Sequence, residues 1–252
     1  MFVNGGDGGE RVSLAANVER VRERIAAAAR RAGRDPDEVT LVAVAKTFPA
    51  EAAVEAYRAG VSVLGENRIQ EAGPKIAAVS AILGQGAVAW HMVGHLQRNK
   101  ARHAVRLFDC IHSVDSVRLA EELEKRCAAL GAASGEEERL PVLLEVNVSR
   151  EASKYGLPVD DRGQLEAAVE AVLAQPHLEL QGLMTMAPVV ADPEDARPYF
   201  RRLRRLRDAL AGRFPAADWK HLSMGMTDDF EVAVEEGATL VRIGRAIFGQ
   251  RG

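Results

Sequence analysis

The chain has few aromatic residues, which make up 5% of its 252 positions, and only two cysteines, Cys110 and Cys127. Two cysteines without CxxC spacing argue against a disulfide framework and against a metal centre. With so few aromatics, a hydrophobic fraction of 47% rests on Val, Leu, Ile and Ala, the composition of stacked parallel strands under outer helices. No apolar run is long enough to span a bilayer. Residues 1–12 are rich in glycine, and Met1 to Glu10 lack the basic start and apolar stretch of a signal or transit peptide. A soluble protein of a reducing compartment, the cytoplasm, is expected. Charge of one sign is also missing: the net value of −3 gives no electrostatic case for nucleic acid. Arg201 to Arg207 interleave with Leu203 and Leu206 at helical spacing, as on the wet face of a packed helix.

What is present is a rhythm. Leu14, Val18, Val21, Ile25 and Ala28 recur at helical spacing and predict an amphipathic first helix. Apolar runs with strand character then end near Lys46, Asn67, Gly94, Asp115, Asn147, Met186, Met226 and Gly244, with helical or loop segments between them. Pro49 opens a helix that Gly60 ends, and Ser116 precedes the amphipathic stretch Val117 to Leu130. Gly131 to Arg139 reads as an exposed loop. Eight strands in βα alternation favour a closed parallel barrel over an open doubly wound sheet. The expected organisation is a flexible start over 1–12 and one α/β domain, a single (β/α)8 TIM-type barrel, over 13–252. Little sequence follows the eighth strand, so the helix Leu14 to Arg31 is expected to cover the junction of first and last strands.

Strand ends of a barrel converge on one face, which gathers Lys46, Asn67, His95, Asn147, Met184, Ser223 and Arg242 at one mouth. No nucleophilic triad is recognisable among them. Lys46 closes the apolar run Leu41 to Ala45. Desolvation there would free its amine for condensation with an aldehyde, or it is a rim lysine paired with a carboxylate; the residues alone leave both open. Loops after the seventh and eighth strands often bind phosphate. Here they carry Ser223, Gly225, Thr227, Gly244 and Arg245, which offer hydroxyls, close backbone approach and N–H groups. Asn67 either bonds a ligand ring or caps the following helix. His91 and His95 make a weak metal pair, since no third ligand is evident.

These motifs together resemble the pyridoxal phosphate homeostasis protein family. The resemblance is carried by Val42-Ala43-Val44-Ala45-Lys46-Thr47, Gly65-Glu66-Asn67 with Gln70-Glu71, Trp90 to Lys100, Ser153-Lys154-Tyr155-Gly156, Leu222 to Met226, and Val241 to Gly244 with Ala246 to Gly249. It implies a barrel similar to the N-terminal domain of alanine racemase, with pyridoxal 5′-phosphate (PLP) held as an internal aldimine on Lys46 as Schiff-base lysine. By the same similarity Ser223, Thr227, Gly244 and the N–H of Arg245 hold the phosphate, and Met224 and Asn67 line the ring. Arg242 faces the pyridine nitrogen, where a donor-only guanidinium keeps it unprotonated and weakens the cofactor as an electron sink. Thr227 stands where many relatives have Ser, and His95 where many bacterial relatives have Pro. The implied function is PLP homeostasis without established catalysis: a monomer that stores PLP and releases it to apoenzymes. The alternative is a PLP-dependent amino-acid racemase of fold type III. That chemistry needs acid/base groups on both faces of the cofactor, and of Tyr57, Tyr155 and Tyr199 only Tyr155 is placed to reach the mouth. A class I aldolase, with Glu66 or Asp115 as proton carrier, is a third reading.

Overall fold

The computed structural model describes residues 13–134 and 139–250, so the expected flexible start lies outside the described residues. The strands are β1 (Thr40–Val44), β2 (Val63–Glu66), β3 (Ala89–Met92), β4 (Cys110–Val114), β5 (Leu140–Asn147), β6 (Leu157–Pro158), β7 (Leu178–Met184), β8 (His221–Ser223) and β9 (Leu240–Ile243). All pairings are parallel, in the order β4-β3-β2-β1-β9-β8-β7-β5, and a further β4–β5 pairing closes the ring. The barrel is therefore eight-stranded, and β6 is a two-residue extension beside Val146 and Asn147. Each expected strand end falls within three residues of the observed one.

Alternation along each strand divides the core in two. Leu41, Ala43, Leu64, Val241 and Ile243 face outward and pack under the helices. Val42, Val44, Val93, Leu143, Met184 and Leu240 form a second cluster inside the barrel. The outer layer comprises α1 (Leu14–Arg31), α2 (Ala50–Arg58), α3 (Ile69–Leu83), α4 (Ala101–Leu107), α5 (Val117–Ser134), α6 (Arg162–Leu173), α7 (Arg197–Arg213), α8 (Phe230–Glu235) and α9 (Arg245–Phe248). In α7 the arginines serve as expected of a packed helix: Leu203 is buried, while Arg197, Arg201 and Arg204 converge on Glu236.

Helix α1 begins at an N-cap, Ser13, whose side chain accepts from the N–H of Ala16, and it buries Val18, Val21, Ile25, Ala28 and Ala29. It packs on α2, α8 and α9, which flank the β1–β9 junction. Asn17 donates to the carbonyl of Ile247 at 3.0 Å, Arg24 pairs with Glu231 at 2.9 Å, and Arg22 donates to the carbonyl of Gly60 at 2.7 Å. The helix thus covers the gap that the sequence pattern assigned to it. The loop expected over 131–139 is a correction. α5 continues through Ser134, because the alanine-rich sequence after Leu130 propagates a helix despite Gly131; residues 135–138 lie outside the described residues.

Candidate functional site

The C-terminal ends of the strands open into a cavity of about 1420 Å³. Lys46 lies just beyond β1 on its wall, half-buried. The next residue, Thr47, holds a φ of +67°, which is costly for a β-branched side chain and marks a turn fixed by its surroundings. The carbonyl of Ala45 on the other side of Lys46 accepts from Lys75 Nζ at 2.5 Å, and Lys75 also binds Glu66. Both side chains of that pair are buried, so a charged clamp between α3 and β2 holds the backbone from which Lys46 projects. Glu66 is pushed up by burial, and its bond to Lys75 opposes the shift.

Asn67 follows β2 and lines the cavity, and its Oδ1 is buried without a hydrogen-bond partner. A buried amide oxygen so placed calls for an N–H or O–H from a bound group. Gly94 lets the β3 loop lie against it: a Cβ there would sit 2.5 Å from the carbonyl oxygen of Asn67. Opposite, the rim is a ring pair. His95 and Tyr155 stack with centroids 3.6 Å apart at 7°, and Nδ1 of His95 lies 3.3 Å from Asp115 Oδ2.

Thr227, Gly244 and Arg245 line the cavity with Arg242. Gly225, with φ +91°, turns the chain beneath Thr227; a Cβ there would lie 2.6 Å from that of Ala233. The lining carries Lys46, Arg68, Lys100, Arg242 and Arg245 against Glu71 and Asp228, and Arg245 is bound to Asp228 and Arg68 to Glu71, so the charge balance of the cavity is positive. Arg242 is 4% exposed and points inward from β9, donating to Ser223 Oγ at 2.6 Å and to the carbonyl of Thr185 at 2.8 Å. Burial lowers its pKa to about 10, against the opposing pull of Glu145 and Asp229, so it stays charged near neutrality. Burial raises Glu145 to about 7; Asp115 adds to the shift and Arg242 resists it.

The cavity wall therefore unites Lys46, Asn67, Thr227, Arg242, Gly244 and Arg245, while Ser223, Met224, Asn147 and Met184, grouped with them on sequence, do not line it. The Ser223 side chain is fully buried below the wall, its hydroxyl engaged by Arg242 and by His112 Nδ1 at 2.9 Å. Met224 points the other way, into the core under the helices, because successive strand residues alternate faces. Asn147 ties its own loop, accepting from the Arg150 N–H at 3.0 Å and donating to the Glu151 carbonyl at 2.9 Å. Met184 is buried inside the barrel, and Met186 reaches the wall in its place. Glu145, Thr185 and His112 were missed: each lies within an apolar run, and only strand parity combined with Arg242 on a neighbouring strand would have singled them out.

The chain matches the alanine racemase N-terminal domain family over residues 16–252. It is 42% identical over 234 residues to the pyridoxal phosphate homeostasis protein of Aquifex aeolicus, covering 93% of this chain and 96% of that one. With the pyridoxal phosphate homeostasis protein of Escherichia coli K12 it shares 41% over 242 residues, covering 94% and 97%. Among solved structures it is similar to PipY of Synechococcus elongatus PCC7942 with PLP bound, at a TM-score of 0.79 and 33% identity, over 94% of this chain and all of that one.

Proposed function

Since the chain belongs to the alanine racemase N-terminal domain family, among the pyridoxal phosphate homeostasis proteins, we propose that it binds PLP in the barrel mouth and serves PLP homeostasis without turning over a substrate. The observation that carries the reading is the pairing of Lys46 on the cavity wall with a buried, donor-only Arg242 beneath it. The residues fit the group. PLP supplies an aldehyde that an amine can capture and a phosphate that hydroxyl and N–H donors can hold. Lys46 is the amine in this reading. Thr227, Gly244 and Arg245 line the same cavity, and in this reading the Thr227 hydroxyl and the backbone N–H groups of the other two hold the phosphate, while Asn67 contributes the orphaned oxygen.

Arg242 explains the restraint of such a site. Its Nη groups are oriented by Ser223 and Thr185, and a guanidinium offers no acceptor, so it can donate to a ring nitrogen but cannot protonate it and accept in return. A ring left unprotonated is a weaker sink for a carbanion. Release to apoenzymes from a cytoplasmic monomer completes the proposal.

The test compares wild type with Lys46→Ala by absorption before and after borohydride, with intact mass, then adds L- and D-amino acids. A visible band that reduction fixes to the chain, absent in the variant, with both enantiomers unchanged, is the expected result. Racemisation at a useful rate would assign an enzyme instead, and a colourless protein that fails to take up added PLP would overturn the reading.

A further inference from the structure

Below the cavity, in the N-terminal half of the barrel, three metal-ligating side chains meet. His91 on β3 pairs in register with Cys110 on β4, and His112 follows two residues on, so all three point to the barrel axis. One ligand atom from each lies within 4.8 Å of the others. Nδ1 of His91 and Nε2 of His112 face each other at 2.9 Å. Sequence spacing hid this set, because no CxxC or HxxxH pattern links residues brought together by strand pairing.

We propose that His91, Cys110 and His112 form a site for a borderline-soft divalent cation, zinc being the physiological candidate, with a fourth position left to water. Donor type supports this choice: two imidazoles and one thiol suit zinc, whereas no carboxylate joins the group to favour magnesium or calcium. The dimensions are also close. Zinc–nitrogen bonds of about 2.0–2.1 Å in a tetrahedron place two ring nitrogens roughly 3.3 Å apart, and a thiolate sulfur roughly 3.6 Å from each. Relative to the 2.9 Å nitrogen separation and the 4.8 Å bound, the side chains need to move by no more than about 1 Å.

Protonation is compatible with the site. Burial lowers the pKa of His91 to about 4 and holds that of His112 well below its ordinary value, so both rings keep a lone pair at neutral pH. Burial raises the Cys110 thiol to about 12, and a bound cation reverses that penalty by supplying the opposing charge. On binding, the S–H bond breaks, its proton leaves to solvent and the sulfur lone pair joins the metal, so one proton is released per ion with no change of oxidation state. The outer support already exists: Nδ1 of His112 lies 2.9 Å from Ser223 Oγ, so the ring can ligate through Nε2 while its other nitrogen donates to that oxygen. Occupancy would thereby reach Arg242, which shares Ser223.

The experiment titrates tag-free, chelator-treated full-length protein with Co²⁺, followed by Zn²⁺ competition. One Co²⁺ per chain, a thiolate charge-transfer band, release of one proton per ion and displacement by Zn²⁺ are expected. Cys110→Ser should abolish the band and weaken binding by more than about 100-fold, since loss of an outer-shell partner alone costs 10–100-fold. Cys127→Ser, on a helix outside the barrel, should behave as wild type. If Cys110→Ser fails to fold by circular dichroism, His91→Asn, at the exposed edge, replaces it and should weaken binding similarly. Absence of saturable uptake, a band that survives in Cys110→Ser, or one lost in Cys127→Ser would overturn the proposal.

Discussion

Replacing Lys75 by methionine tests whether the backbone beside Lys46 depends on a buried charge. The substitution keeps most of the side-chain volume but removes the ammonium that serves both Glu66 and the carbonyl of Ala45. Glu66 is completely buried, and its Oε2 already lacks a partner, so the carboxylate left behind would keep only its backbone hydrogen bond from Asn67. Breaking one side of a buried pair costs about 3–5 kcal/mol. At about 2–4 °C per kcal/mol for a chain of this size, melting should fall by roughly 6–20 °C. The loss should depend on pH in a defined direction. With Lys75 gone, the folded pKa of Glu66 stands further above its ordinary 4.5, so ionisation opposes folding: the penalty is small near about pH 4.5, grows by up to about 1.4 kcal/mol per pH unit, and is complete above the folded pKa. Urea unfolding at about pH 5 and about pH 8 reads this directly, and Glu66→Leu combined with Lys75→Met should recover most of the loss. A loss below about 1 kcal/mol, or one equal at both pH values, would refute the reasoning.

Gly225→Ala should cost about 2–5 kcal/mol, the sum of a left-handed backbone penalty and overpacking against Ala233 and Phe230, and should weaken PLP binding; a melting curve like that of wild type would contradict it. Glu145→Gln should stabilise the protein at about pH 8, with an upper limit near 3 kcal/mol from a pKa raised from 4.5 to about 7, reduced because Arg242 loses an opposing charge. The sign follows from the raised pKa: the wild-type penalty is absent below about pH 4.5 and full above about pH 7, so the variant's advantage should vanish in acid, and equal stabilities throughout the range would argue against a strained carboxylate. Glu236→Ala should leave Arg197, Arg201 and Arg204 facing one another without their shared acceptor and lower stability by about 1 kcal/mol by urea unfolding; no measurable change would mean that solvent screens the cluster.

The barrel was legible because each strand is an apolar run with polar residues at its C-terminal end, and because parallel strands covered on both faces tolerate little else. Lys46, Asn67, Thr227, Arg242, Gly244 and Arg245 were legible as neighbours for the same reason: strand ends share a mouth. Ser223 and Met224 show the limit of that logic. Both were assigned to the loop after the seventh strand, yet Ser223 ends β8, and which of two adjacent residues faces the axis or the helices depends on where the strand stops, which a sequence gives only to within a few residues. Glu145 and His112 were hidden more deeply. An acid or imidazole inside an apolar run has no local signature, and its role is defined by Arg242 or Ser223 arriving from distant strands. Helix α5 ran past Gly131 because neighbouring alanines outweigh one glycine.

The position of α1 sets an order of events. It precedes β1 and carries an apolar stripe, yet two of its three covering partners, α8 and α9, lie far along the sequence: Asn17 and Ile247 are 230 positions apart. Every other strand can find its neighbour as synthesis proceeds, whereas the β1–β9 seam must wait, and contacts of such sequence separation are slow to form. The seam is thus the strand pairing of greatest sequence separation in the barrel. Lys46 extends from one lip of it and Arg242 and Gly244 from the other. A ligand gripped by both lips acts as a stitch across the final join, so the protein's hold on its cargo and the cargo's hold on the protein are one equilibrium.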